Sequence, residues 1–258
     1  MGLATLDLNN KTAVVIGGTS GIGLTLAKGL AQAGANVVAT GRRADLVRAA
    51  ADEISRLGRR SLPVTVDVTN HESVASLHTA VCAEFGNVDV LVNCAGITKR
   101  TPTLEVPEQE WDNILDVNLN GTLRACQVFG RKMIERQYGR IINIASLSSF
   151  VALYEVAAYA ASKSAVASLT KSLAIEWARH GVCVNAIAPG VFKTELNTHL
   201  LEGTPRGQEF LLRTPMRRFG KLDELVGAAV FLASDAASFV TGHILAVDGG
   251  FLASGVNQ

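Results

Sequence analysis

Ser146, Tyr159 and Lys163 lie within IINIASLSSFVALYEVAAYAASKSA, a β-like run ending near Ser146, then a loop, then an Ala-rich helical stretch. Tyr159 and Lys163 are four residues apart, so on a helix they project from one face. A phenol of ordinary pKa, about 10, is a weak acid–base group at neutral pH. An ammonium one turn away favours the phenolate and is expected to lower that pKa. A serine hydroxyl at a strand end can hydrogen-bond the same substrate oxygen. Together the three describe a proton-transfer site for a carbonyl or alcohol carbon. The Tyr-x-x-x-Lys spacing also occurs on ordinary surface helices, so the reading depends on the rest of the chain.

The N-terminal part supplies a second site. Lys11 to Gly23 reads KTAVVIGGTSGIG, an apolar β-branched run followed by glycines, and the helical pattern LTLAKGLAQAG comes next. Strand, glycine turn and helix are the context that a phosphate-binding loop requires. Gly17, Gly21 and Gly23 allow a tight turn and close approach to a pyrophosphate. The helix start, with Thr19, Ser20 and Ile22 around it, offers free N–H groups and a positive dipole end.

With both motifs in place, the chain resembles the short-chain dehydrogenase/reductase family from about Leu8 to Gly250. The family's Thr-Gly-x-x-x-Gly-x-Gly motif corresponds to Ile16-Gly17-Gly18-Thr19-Ser20-Gly21-Ile22-Gly23, and its Asn-Asn-Ala-Gly to Asn93-Cys94-Ala95-Gly96. The resemblance implies catalytic roles for Asn118 (in DVNLNG), Ser146, Tyr159 and Lys163. It also implies nicotinamide contacts from Pro189, Gly190, Val191 and Thr194. Asn118 would anchor a water passing protons from Lys163 to solvent, and Lys163 would also hold the nicotinamide ribose. Ile16 and Cys94 depart from the pattern. Each removes a side-chain hydrogen bond that would brace its loop.

Elements must bring these scattered residues together. Apolar runs resembling buried strands fall near 12–16, 36–40, 62–66, 88–92, 140–145, 182–187 and 243–247. Helical patterns separate them, near 21–33, 44–57, 71–85, 107–136, 157–180 and 222–234. This alternation predicts a single-domain α/β fold: a Rossmann-type, doubly wound parallel sheet of about seven strands with helices on both faces. Its ligand crevice lies at the strand C-terminal ends, where the glycine loop, Asp67, Asn93, Ser146 and Pro189 converge. Domain 1–258 carries one irregular excursion at about 194–220, broken by Gly203, Pro205, Gly207 and Pro215. It is expected to act as a substrate lid.

The second strand decides the cofactor. An NAD-preferring site usually places an acid there, whereas this chain reads NVVATGRRADL with Gly41 at that position. Arg42 and Arg43 can hold a 2′-phosphate, so NADP(H) is expected. Asp67 and Val68 resemble the family's adenine-contacting pair, although Asp67 could instead cap the helix starting near Asn70. Asn93 and Gly96, with Ala95, would flank the adenosine ribose and the central sheet.

Composition bounds the rest. Hydrophobic residues are 48% and charged residues 18%, with a net charge of +1. That balance argues against disorder and against a nucleic-acid binder. There is no apolar run long enough for a membrane span and no signal-peptide pattern at the start. Cys82, Cys94, Cys126 and Cys183 are scattered, and the five histidines show no metal-ligand spacing, so no metal is expected and a cytoplasmic location is.

The expected reaction interconverts a small-molecule ketone and a secondary alcohol. Stretches such as AGITKR, EWDNILDVNLNGT and AVDGGFLA are similar to family members acting on sugar acids, of the gluconate 5-dehydrogenase kind. The core motifs are shared with 3-oxoacyl-acyl-carrier-protein reductases and broad carbonyl reductases. A non-catalytic nucleotide sensor is the reading of a different class, disfavoured by the complete catalytic set. Arg100, Ser148 and Leu196 are the candidate substrate contacts, with Lys99 or Arg100 meeting a substrate carboxylate. The apolar faces of 107–136 and 157–180 (Ile114, Leu115, Leu123, Val128; Val166, Leu169, Leu173, Trp177) predict a homotetramer.

Overall fold

Near-continuous β-branched runs become strands buried on both faces, as a parallel sheet covered by helices demands. The computed structural model describes residues 6–194 and 197–257, with backbone alone at 199–200. Strands β1 (Thr12–Ile16), β2 (Asn36–Thr40), β3 (Val90–Asn93), β4 (Gly139–Ile144), β5 (Val182–Pro189) and β6 (Ile244–Val247) form one sheet. Its order is β2-β1-β3-β4-β5-β6, and every neighbouring pair is parallel.

Alternate side chains feed two cores. Ala13 and Val15 of β1 face a cluster built on α1 (Gly21–Gln32), α2 (Ala44–Arg56) and α9 (Val226–Ala233). Val14 and Ile16 face α3 (His71–Phe85), α5 (Gly121–Glu135) and α6 (Ala157–Trp177). The chain order reverses outward from β1 and β3, which puts the crevice where the strand C-termini diverge.

The segment expected as a strand at 62–66 is not one, so the sheet has six strands. It runs beside β2 and bonds to it at separate points: Val37 N to Arg60 O (3.1 Å), Val66 N to Gly41 O (3.0 Å), and the Thr40 hydroxyl to the Val64 carbonyl. Pro63 has no N–H to donate, so a ladder cannot propagate through it. The long helix expected at 107–136 is α4 (Glu108–Leu115), a π-helical turn (Asp116–Asn120) and α5.

Between β5 and β6 the chain leaves the sheet through α7 (Thr198–Leu201) and α8 (Pro205–Arg213) before α9. The neck of this excursion is closed. Phe192 and Gly220 form a bridge, and Gly220 N donates to Val191 O at 2.9 Å. A Cβ on Gly220 would lie 2.3 Å from the Phe192 ring, so the neck requires glycine. Among the described residues no helix is long and apolar enough to cross a membrane, and no three His, Cys, Asp or Glu side chains cluster as metal ligands.

Candidate active site

The glycine turn between β1 and α1 packs directly on the turn after β3. Gly17 has φ +77°, and a Cβ there would lie 2.6 Å from Ala95 N. Gly23 admits no side chain, because its Cβ would fall 2.0 Å from Gly17 O. Ile16, where the family has Thr, is buried in the core. The loop is braced from the backbone instead: Gly17 N and Gly18 N both donate to Thr40 O, at 2.8 and 3.0 Å. Ser20 is the N-cap of α1 but makes no side-chain cap bond, so the first N–H groups of the helix have no side-chain acceptor. Thr19, Gly21 and Ile22 are half-buried around this opening and Ser20 is exposed. Across it, the Thr194 methyl lies 3.6 Å from a Cβ built on Gly21. The glycine loop and the turn after β5 therefore face each other.

At the β2 end, Arg42 and Arg43 are exposed and enter no ion pair among the described residues. Asp67 does not cap α3; Asn70 does, accepting from Ser73 N. Asp67 accepts from Thr69 N (3.0 Å) and Thr69 Oγ1 (2.8 Å). Those two bonds, and more weakly the charges of Arg42 and Arg124, hold its carboxyl below the usual range. Val68 is buried, and its carbonyl accepts from Arg124 Nη1 at 3.1 Å. Asn93, expected beside the ribose and the sheet, is buried at the end of β3, its Oδ1 without a hydrogen-bond partner. Its Nδ2 donates inward to Asn143 Oδ1 (2.9 Å) and Cys126 Sγ (3.3 Å).

The four catalytic candidates converge at the ends of β4, the π turn and α6. Ser146 Oγ accepts from Ser148 N (3.2 Å) and Ser148 Oγ (2.9 Å). With both acceptor sites used, its own proton is free to point at Tyr159, to which it is hydrogen-bonded. Ser148, expected at the substrate, supports Ser146 through these two bonds. Burial raises the Tyr159 phenol, and the Ser146 hydrogen bond opposes that rise.

Lys163 differs from expectation. Its Nζ donates to Ile144 O at 2.6 Å and lies 5.8 Å from the Tyr159 ring centroid. The ammonium points at a strand-end carbonyl, and Ser146 is the group that opposes the rise of the phenol. Lys163 is 95% buried, its exposure being 5%, and burial pushes its pKa down to about 8.

Asn118 is fully buried in the π turn. Its side chain accepts from Ile97 N (2.8 Å) and donates to Ile97 O (2.9 Å) and Ser162 Oγ (3.0 Å). It clamps the loop after Gly96 to α6. Its backbone carbonyl accepts from Thr122 Oγ1 at 2.8 Å. Gly96 lines the gap: a Cβ there would lie 3.4 Å from Asn118 Oδ1 and 3.6 Å from Lys163 Nζ. Pro189 ends β5, Gly190 N donates to Val247 O (2.8 Å), and Thr194 N donates to Asn197 Oδ1 (2.8 Å), which fixes the turn expected at the nicotinamide.

The substrate candidates are altered most. Lys99 pairs with Glu110 and Arg100 with Glu155, both at 2.6 Å, so each is already neutralised by the chain's own carboxylate. Leu196 lies outside the described residues, and so does the side chain of Leu200. Sequence reasoning missed Ser162, Glu155 and Arg206. Ser162 adjoins Lys163 without a motif of its own, and the other two look like ordinary surface charges until the loops are placed.

A family model described as enoyl-(acyl carrier protein) reductase matches residues 17–252. The chain is 42% identical over 248 residues to a gluconate 5-dehydrogenase of Gluconobacter oxydans (strain 621H), covering 96% of this chain and 97% of that one. It is 41% identical to a D-threitol dehydrogenase of Mycolicibacterium smegmatis (strain ATCC 700084 / mc(2)155), covering 95% and 94%. A gluconate 5-dehydrogenase from Burkholderia cenocepacia J2315, solved in complex with NADP and tartrate, superposes with a TM-score of 0.94 at 40% identity, covering 98% and 99%. The chain belongs to the short-chain dehydrogenase/reductase family. It is an oxidoreductase acting on CH–OH groups.

Proposed function

We propose that the chain reduces the keto group of a sugar acid or polyol-derived ketone with NADPH, and oxidises the matching alcohol with NADP⁺. The observation that carries this is the Ser148–Ser146–Tyr159 hydrogen-bond chain ending beside buried Lys163. It leaves the Tyr159 phenol with a proton to deliver and Ser146 beside it, which suits a carbonyl oxygen and has no counterpart on an alkene carbon.

The residues fit a dinucleotide. The glycine loop and the Thr194 turn form a cradle: an added Cβ at Gly21 would stand 3.6 Å from the Thr194 methyl, while Gly17 and Gly23 let the loop backbone pack closely on Ala95 and on itself. The uncapped start of α1 suits the pyrophosphate, Asp67 and Val68 the adenine, and Arg42 and Arg43 the 2′-phosphate. Pro189, Gly190, Val191, Ala95 and Gly96 would border the ribose and nicotinamide. When bound, the cofactor donates or accepts the hydride. Tyr159 gives its proton to the nascent alkoxide, Ser146 stabilises the negative oxygen, and Lys163 contacts the ribose. A water on the Asn118 carbonyl returns the proton to solvent. The excursion 194–220 covers the substrate.

The relatives acting on gluconate and threitol support the substrate class, and the NADP complex of a 40% identical protein supports the cofactor. A kinetic screen of sugar acids, polyols, β-keto esters and simple ketones with both cofactors tests it. No turnover of any hydroxylated substrate would overturn the reading. Replacing Arg42 by Ala should lower kcat/KM for NADPH by about tenfold or more, since charge-assisted contacts carry that much. The value for NADH should barely change. Equal losses with both cofactors would remove Arg42 from the 2′-phosphate site.

We place the enzyme in a reducing cytoplasm, where its four free thiols persist, as a homotetramer. Ile114, Val166 and Leu173 of the expected faces are buried within the chain. Leu115, Leu123, Val128, Leu169 and Trp177 stay half-exposed, with Ile175 81% exposed beside them. Pairing about two-fold axes would cover them. Sedimentation should give about four times the 27.2 kDa chain mass, whereas a stable, active monomer would refute it.

A further inference from the structure

Helix α8 carries a cation that has no carboxylate in contact among the described residues. Arg206 is half-buried. Its guanidinium lies 5.4 Å from the Phe210 ring centroid, and Nη1 donates to the neutral carbonyl of Tyr154 at 3.2 Å. It enters no ion pair among the described residues. Arg100 flanks Tyr154 from the other side, 6.0 Å from its ring centroid, and has taken Glu155 at 2.6 Å. The charges around Arg206 are therefore Arg100, which repels it, and Glu155 and Glu209, which attract it without contact. Arg100 and Arg206 share the attraction of Glu155 but only Arg100 pairs with it, and desolvation makes the unpaired charge costly.

The place is the crevice mouth. Glu155 is four residues before Tyr159 and Arg100 four after Gly96. Thr101 N donates to Glu155 O at 2.9 Å, tying the loop that leaves Gly96 to the loop that leads into α6. The excursion meets these loops through Arg206.

We infer that Arg206 binds the carboxylate of an anionic substrate, with Glu155 standing in for that carboxylate on Arg100 until the substrate arrives. The inference rests on the sugar-acid reading and names the residue that would separate sugar acids from neutral polyols. A planar guanidinium stacked on Phe210 is preorganised for bidentate contact. The carboxylate would fasten α8 to the loop before Tyr159, so the group that selects the substrate would also hold the cover down.

Calorimetry with D-gluconate in the presence of NADPH, which cannot accept a hydride from it, tests the site apart from turnover. R206Q should weaken gluconate binding by about tenfold or more. E155Q should strengthen it severalfold, because it frees Arg100, whereas loop damage would weaken binding in both variants. In parallel, the kcat/KM ratio of 5-keto-D-gluconate to L-sorbose, in which a hydroxymethyl group replaces the carboxylate, should fall about tenfold or more in R206Q. Equal gluconate affinity in wild type and R206Q, equal weakening by both variants, or no gluconate binding to wild type would each overturn the inference. Arg206-dependent gluconate binding without turnover of 5-keto-D-gluconate would uphold the site and overturn the proposed reaction.

Discussion

Replacing Tyr159 by Phe is expected to cut kcat by about 10²- to 10⁴-fold, the range a positioned proton donor contributes, with the affinity for NADPH nearly unchanged. The ring keeps its packing and loses only the hydroxyl to which Ser146 is hydrogen-bonded. Rapid single-turnover reduction with saturating NADPH measures the chemical step, and fluorescence titration measures cofactor affinity. A Phe variant with near-normal kcat would sink the mechanism. Ser146→Ala adds a directional check. Burial already raises the Tyr159 phenol and the Ser146 hydrogen bond opposes it, so removing that bond lets the phenol rise further. In alcohol oxidation, where the phenolate is the base, the alkaline rise in rate should move to higher pH. A shift to lower pH would mean another group controls the phenol.

Local periodicity and ordered motifs made the layers and the catalytic set legible. Strands β1 to β6 are dense in Val, Ile and Ala, and Ser146, Tyr159 and Lys163 sit at spacings that a strand end and a helix convert directly into proximity. What stayed hidden depended on contacts between distant segments. Thr40 replaces the missing loop hydroxyl through its carbonyl, 23 residues away from Gly17, and no motif records a backbone acceptor. Lys163 turns to Ile144 O at the end of β4, which side-chain spacing cannot show. Arg100 looked free until the loop at 150–156 brought Glu155 to it. The strand expected at 62–66 failed for a reason that was visible in the sequence, namely Pro63 within a short apolar run.

Lys163→Met should abolish efficient turnover while stabilising the cofactor-free protein at neutral pH. Lys163 is 5% exposed, and burial lowers its pKa from 10.5 to about 8. At pH 7 the folded chain therefore keeps a desolvated ammonium, at a cost of about 3 kcal/mol relative to the unfolded chain. Its hydrogen bond to Ile144 O returns about 1–2 kcal/mol, and Met gives up that bond together with the penalty. Met is of similar length and fills the space with apolar atoms, so a net gain of about 1–2 kcal/mol is expected below pH 8. Between about pH 8 and 10.5 the unfolded wild-type chain binds more protons at this lysine than the folded chain does. Wild-type stability thus rises with pH through that window, a rise the Met variant lacks. Its advantage should shrink across the window and be lost above it. Urea unfolding at pH 7 and pH 10 reads the difference directly, and a stability change that is the same at both would overturn the account. Activity should move the opposite way, with kcat/KM falling by about 10² or more as the ribose contact and the charge beside Tyr159 are lost. The stabilisation that NADPH confers on wild type by binding only the folded form should largely vanish in the variant. The two results together would mark Lys163 as a residue whose charge costs the fold stability and serves the proposed reaction.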